Sequence, residues 1–235
     1  GLDCTPPTRD HLPAFASFMR DLVARYSQPP FNVKYWELGN EVDLDPADEG
    51  GHGVWGCWGN RNDEYFGGGY YADMLKQIYP AMKQADPNAQ VLVGGLMLEC
   101  GTRFDACREH RFLEGVVRNG GGPYFDGVGY HAYDGFTFKL GAYENFKWDS
   151  RWDTNGTVTV AKLNFLRSVL NRYNVAGKYF VMTEGSVLCW ECSYSPPEHD
   201  LTKAYYVPQL YAAGVANDLK AVIWYSYNSQ WMQSA

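Results

Sequence analysis

A chain of 235 residues with 46% hydrophobic content can bury a sizeable core, as one large domain or two small ones. Its net charge of −7 argues against nucleic acid as the main partner, because phosphate binding needs a basic surface. No run of about 18 apolar residues occurs, so no membrane-spanning helix is expected. The chain opens on Gly1 with no signal peptide, as a processed or incomplete chain would, and this start does not report a compartment.

Helical and strand signals then alternate. Asp10 is placed to cap a helix in which Leu12, Phe15, Met19, Leu22, Val23 and Tyr26 recur at helical spacing, and Gln28-Pro29-Pro30 stops it. A strand is expected from Val33 to Leu38, ending at Gly39-Asn40-Glu41. A long loop rich in Gly, Trp and Asp follows, then a helix from Tyr71 to Ala85 and a strand over Val91–Gly95. The beat repeats with a helix over Phe112–Arg118 before a strand over Gly127–Tyr133, and a helix over Val160–Tyr173 before a strand over Lys178–Glu184. A last helix, Lys203–Ala216, leads into Ala221–Tyr225.

Strands alternating with helices imply parallel pairing, in an open doubly wound sheet or a barrel. No Gly-rich phosphate loop follows any strand, which weakens the nucleotide-binding sheet. Polar and ionisable residues gather at strand ends instead: Asn40-Glu41, His131 and Tyr133, and Glu184. Chemistry collected from several C-terminal strand ends is the habit of a (β/α)8 barrel, so an α/β TIM barrel is the expected fold. Such a barrel needs eight strands and about 250 residues. The expectation is therefore a single catalytic domain over residues 1–235, incomplete at both ends, with strands 4 to 8 visible. A partner chain or a further segment would complete it.

Six cysteines, Cys4, Cys57, Cys100, Cys107, Cys189 and Cys192, fall in loop-like segments and suit disulfides and a secreted or extracytoplasmic setting. A single Cys-x-x-Cys lacks the second pair a structural zinc site uses. Local bridges Cys100–Cys107 and Cys189–Cys192 are expected, leaving Cys4 with Cys57. Aromatics reach 16% of the chain, many beside Gly, Asn and Asp. They serve either as core and loop anchors or as flat platforms for sugar rings. Trp55, Trp58, Tyr65 and Phe66, in the loop from Asp43 to Gly69, are among them, with Trp148, Trp152, Trp190 and Trp231 in later loops or ends. Asp43, Asp45, Asp48 and Glu49 match no EF-hand spacing and read as a solvated acidic loop. Asn155-Gly156-Thr157 is an N-glycosylation sequon.

Retaining hydrolysis of a glycosidic bond takes two carboxyl groups about 5–5.5 Å apart, one as acid then base and one as nucleophile. Glu41 and Glu184 stand at strand ends where such a pair belongs. The stretch Trp36-Glu37-Leu38-Gly39-Asn40-Glu41, with Glu184 closing a later strand, resembles clan A of the glycoside hydrolases, and within it the arabinofuranosidase and heparanase-like families. The resemblance implies Glu41 as general acid/base, Glu184 as nucleophile and Asn40 as a hydrogen-bond partner of the sugar 2-hydroxyl. It also implies that Tyr133 orients the nucleophile, that His131 lines the sugar site, and that Trp224 floors the first subsite. It implies no metal or organic cofactor. Glu37, of the same strand parity as Glu41, is expected as a buried partner for an Arg on a strand outside the sequence.

The expected partner is a carbohydrate, and charge alone favours a neutral polysaccharide or oligosaccharide over a polyanion. The rival reading is an extracellular carbohydrate-binding or structural protein that keeps a non-catalytic barrel. An acyl hydrolase lacks its Gly-x-Ser-x-Gly elbow.

Overall fold

The alternation becomes α1 (Leu12–Tyr26), β1 (Tyr35–Asn40), α2 (Gly68–Ala85), β2 (Gln90–Leu96), α3 (Phe112–Arg118), β3 (Gly127–Phe136), β4 (Tyr143–Glu144), α4 (Val158–Arg172), β5 (Tyr179–Leu188), α5 (Pro197–Ala216) and β6 (Ala221–Val222). The computed structural model describes residues 6–44, 58–99, 107–144, 156–189, 191–192 and 195–226. Strands β1, β2, β3, β5 and β6 are neighbours in that order, all parallel, while the short β4 pairs antiparallel with the end of β3.

Where boundaries differ from expectation, local chemistry explains it. Helix α5 starts at Pro197, earlier than Lys203, because proline is tolerated at a first helical position and Glu198 and Asp200 suit the positive end of the helix dipole. Asp10 does not cap α1. It lies in a 3-10 turn, where the Thr8 hydroxyl donates to its carboxylate at 2.5 Å. Strand pairing of β6 is short, yet the ladder continues: Ile223 N–H donates to the Met182 carbonyl and Tyr225 N–H to that of Gly185.

Strand parity sorts the side chains into two layers. Towards the helices, Tyr71, Met74, Leu75, Ile78 and Met82 form the buried face of α2, at the spacing that keeps them on one side. They share the main core with Val91, Val93, Val128, Tyr130 and Met182 from the sheet. The opposite face of the sheet is concave. Thr183 Oγ1 on β5 donates to Glu37 Oε1 on β1 at 2.9 Å, and the rings of Tyr35 and Tyr179 lie 6.3 Å apart. In a flat sheet three inter-strand spacings would separate β1 from β5 by about 14 Å, beyond the reach of a Glu and a Thr. The sheet therefore curls as a barrel wall does. Gly127 and Gly129 on β3 make this meeting possible, since a Cβ there would lie 2.5 Å from the Tyr179 ring and 2.0 Å from Glu37 Oε1.

Glu37 points inward beneath the strand end and accepts from Thr183, while the arginine expected beside it belongs to a strand outside the sequence. Desolvation inside the curl raises its carboxyl above the usual range.

Candidate active site

Helix α2 shapes the end of β1. The buried Tyr71 hydroxyl donates to the Leu38 carbonyl at 2.6 Å and accepts from Gly94 N–H at 3.0 Å, so it bridges the two strands where their ladder is interrupted. There the chain leaves the strand through left-handed residues, Gly39 at φ +96° and Glu41 at φ +49°. Holding a non-glycine residue in that region costs on the order of 1–3 kcal/mol, and such strain collects at functional sites. A turn closed by Leu44 N–H on the Glu41 carbonyl follows.

Glu41 is thereby turned towards β3 and β5. Its Oε1 lies 3.1 Å from His131 Nδ1, and Glu184 Oε2 lies 3.7 Å from the same nitrogen. Tyr133, two residues beyond His131 on the same face, donates its hydroxyl to Glu184 Oε2 at 2.6 Å. Ligand atoms of Glu41, His131 and Glu184 all lie within 4.8 Å of one another. On β5 an irregularity in the pairing between Tyr130 and His131 sets Glu184 opposite His131, so Glu184 joins Thr183 on the concave side.

His131 is fully buried, its ring lying over Gly95. Its Nε2 has no hydrogen-bond partner among the described residues. Nδ1 faces a carboxylate oxygen of Glu41, which accepts, so the tautomer that fits carries its proton on Nδ1. For Tyr133, burial and then the bond to Glu184 push the phenol far above its ordinary value, which keeps it a donor. Glu41 and Glu184 remain partly open, with side chains 14% and 24% exposed, so both can meet a ligand.

Asn40 closes β1 opposite Gly95 and is exposed. Trp224 is not brought into this group. Its neighbour two residues back, Val222, packs on Gly214 of α5, and Trp224 stays on that side with its ring 6.2 Å from Tyr206. Parity assigns the inner face to Tyr225, which is 42% exposed and close enough to Tyr133 to act on its phenol electrostatically. Sequence reading passed Tyr225 over, although alternation from Ala221 would have marked it.

The loop aromatics divide similarly. Trp58 packs on Tyr70 and Tyr71, Phe66 is buried, and Tyr65 lies beneath the guanidinium groups of Arg111 and Arg118. These anchor the loop. Trp55, Trp148, Trp152, Trp190 and Trp231 lie outside the described residues. Asp43 is no solvated loop residue: it is fully buried and accepts from the N–H groups of Met97 and Leu98 at 2.8 and 2.7 Å. Asp45, Asp48, Glu49 and the sequon's Asn155 lie outside the described residues.

Cys189 and Cys192 form a disulfide just after β5, and Cys107 is also disulfide-bonded. The expected pairings through Cys100, Cys4 and Cys57 fall outside the described residues. No described helix is long and apolar enough to cross a membrane. Two carboxylates and an imidazole so close together are a donor set that a divalent cation could also use. The same atoms are already engaged with one another and with Tyr133.

No family model matches the sequence, and no curated protein matches it. Among solved structures, the chain is similar to a family 39 glycoside hydrolase from the gut symbiont Bacteroides cellulosilyticus WH2, at 18% identity and a TM-score of 0.61, covering 95% of this chain and 39% of that one. It is similar to fungal β-1,4-galactanases at 16% identity and a TM-score of 0.55, over 94% of this chain and 60% of that one. It is also similar to an α-L-arabinofuranosidase from Thermotoga maritima at 17% identity and a TM-score of 0.55, over 92% and 41%. The chain spans 39% to 60% of the length of these three structures. Its fold is that of a (β/α)8 barrel, present in part.

Proposed function

We propose that the chain is the catalytic part of a retaining glycoside hydrolase, with Glu41 as acid/base and Glu184 as nucleophile. The single observation that carries this reading is the approach of a Glu41 and a Glu184 carboxylate oxygen to within 4.8 Å across the concave face. That spacing suits direct attack, which works at about 5–5.5 Å, better than the roughly 6.5–9.5 Å that leaves room for an inverting water. Tyr133 and His131 give each carboxylate its own donor, as two groups with different tasks require.

In this reading Tyr133 occupies Glu184 Oε2, and Oε1 attacks the anomeric carbon. The bond to the leaving oxygen breaks as Glu41 delivers its proton there. Glu41 then takes a proton from water, whose oxygen attacks the same carbon and releases Glu184. Asn40 meets the sugar 2-hydroxyl, and Tyr225, not Trp224, offers a ring to the first subsite. The strands correspond to 4 to 8 of the barrel, residues 1–235 belong to one catalytic domain that a further segment or partner chain completes, and the substrate is a neutral polysaccharide or oligosaccharide met outside the cytoplasm.

The test is hydrolysis of a panel of 4-nitrophenyl arabinofuranosides, xylosides, galactosides and glucosides, with the anomer formed first read by NMR. Glu184→Gln should lose nearly all turnover while keeping sugar binding. Product of inverted configuration would refute the mechanism, and wild-type binding without turnover would favour the non-catalytic barrel.

A further inference from the structure

A second group of buried charges lies behind the site. Lys162, on α4, is fully buried, and its Nζ donates to the carbonyls of Met97 at 2.5 Å and His131 at 2.9 Å. Asp43, two residues beyond Glu41, takes the N–H of that same Met97. Met97 is thus held on one side by the loop that carries Glu41 and on the other by the lysine that holds His131. The path closes on itself, because His131 Nδ1 meets Glu41 Oε1. It joins the ends of β1 and β2 and the middle of β3 to a helix outside the sheet.

An apolar residue at position 162 would fill the space but leave the Met97 and His131 carbonyls without this donor. A buried ammonium instead demands partners, since taking an ion out of water costs several kcal/mol. Burial lowers Lys162 and raises Asp43, and Asp134, Glu99 and Glu41 are the other charges that act on the lysine. Neither Lys162 nor Asp43 is exposed to solvent, so neither can touch a substrate. What they do touch is backbone: Lys162 that of Met97 and His131, and Asp43 that of Met97 and Leu98.

We infer that Lys162 and Asp43 are positioning residues, which hold the strained Glu41 turn and the His131 ring in hydrogen-bonding register. This deepens the glycosidase reading and rests on it for its catalytic consequence, but not for its geometry. Displacement of a reacting group by about 1 Å can cost on the order of 100-fold in rate. Loosening the path therefore lowers kcat about 100-fold while KM stays within about 3-fold, because no sugar contact is lost.

Two variants of the full chain test this. Lys162→Met replaces the buried charge by an apolar side chain of similar length and, because it removes one member of a buried ionic network, lowers stability as well. Asp43→Asn keeps shape and one acceptor oxygen but sets an amide against one of the two N–H groups. Two readouts apply to each: kcat and KM on the 4-nitrophenyl panel, and the 15N-edited NMR signal of the His131 Nδ1 proton. The expected result is loss of that protected signal, together with the fall in kcat, in a protein that still melts cooperatively. A folded variant that keeps both the signal and kcat overturns the inference, as does a wild type that lacks the signal. Should Lys162→Met fail to fold, Asp43→Asn decides by the same criteria. If the wild type hydrolyses no probe, the glycosidase reading alone falls and the NMR comparison still decides the positioning.

Discussion

Gly95→Ala is the smallest change that tests the site. An added Cβ would lie 2.2 Å from His131 Nε2, and 2.8 and 3.0 Å from its Cδ2 and Cε1, where ordinary contact begins at 3.4 Å. The ring must retreat by about 1.2 Å, and it is fully buried, so the move is resisted by packing and not absorbed by solvent. Overpacking of this kind costs about 1–3 kcal/mol. For a chain of this size that corresponds to a melting temperature about 2–12 °C lower. The retreat also pulls Nδ1 away from Glu41 Oε1, now 3.1 Å off, and the rate on aryl glycosides should fall on the order of 100-fold. Gly69→Ala is the control, because its Cβ would meet nothing nearer than 4.0 Å, and it should be neutral or stabilising by up to about 1 kcal/mol. Calorimetry and initial rates on both variants suffice. A Gly95→Ala protein that melts with the wild type and keeps its rate would show that His131 is not pinned as described.

Tyr133→Phe removes the hydroxyl bond to Glu184. Bonds to charged groups contribute about 1.5–3 kcal/mol, so kcat/KM should drop about 10- to 150-fold; an unchanged value would remove Tyr133 from the site. Tyr225→Ala should weaken sugar binding in titration calorimetry with little loss of stability, whereas Trp224→Ala should lower the melting temperature and leave binding alone. The reverse pattern would restore Trp224 to the subsite. Burial pushes the carboxyls of Asp43 up to about 7 and Asp134 up to about 6, the latter despite bonds from Tyr206 and Val158. The folded chain then keeps protons that the unfolded chain has released, so this stability is complete below about pH 4 and is lost as pH rises through 6 and 7. Urea midpoints between pH 4 and 8 should fall less steeply for Asp43→Asn than for the wild type, and equal slopes would exclude Asp43 as a source.

The sequence by itself determined the order and kind of the elements. Apolar periodicity switches between 3.6 and 2 residues in step with its turns, and each of the five parallel strands expected from that switch is found. It also marked Glu41, His131, Tyr133 and Glu184, because buried strand ends rarely carry ionisable groups without use. Only the tertiary structure decided what alternation cannot carry past an irregular strand or a strand end. The irregular register on β5 sets Glu184 beside Thr183 on the concave side, and the parity of β6 gives the inner position to Tyr225. Asp43 looked like one of several loop acids, and nothing in the helix over Val160–Tyr173 singled out Lys162. Their pairing through the backbone of Met97 joins positions 119 residues apart in the chain, roughly counted, and no local pattern records such a contact. The curl of the sheet is decided at the same level. It depends on glycines at 127 and 129 leaving room for side chains from two other strands, a fact of volume that appears only when the strands are side by side.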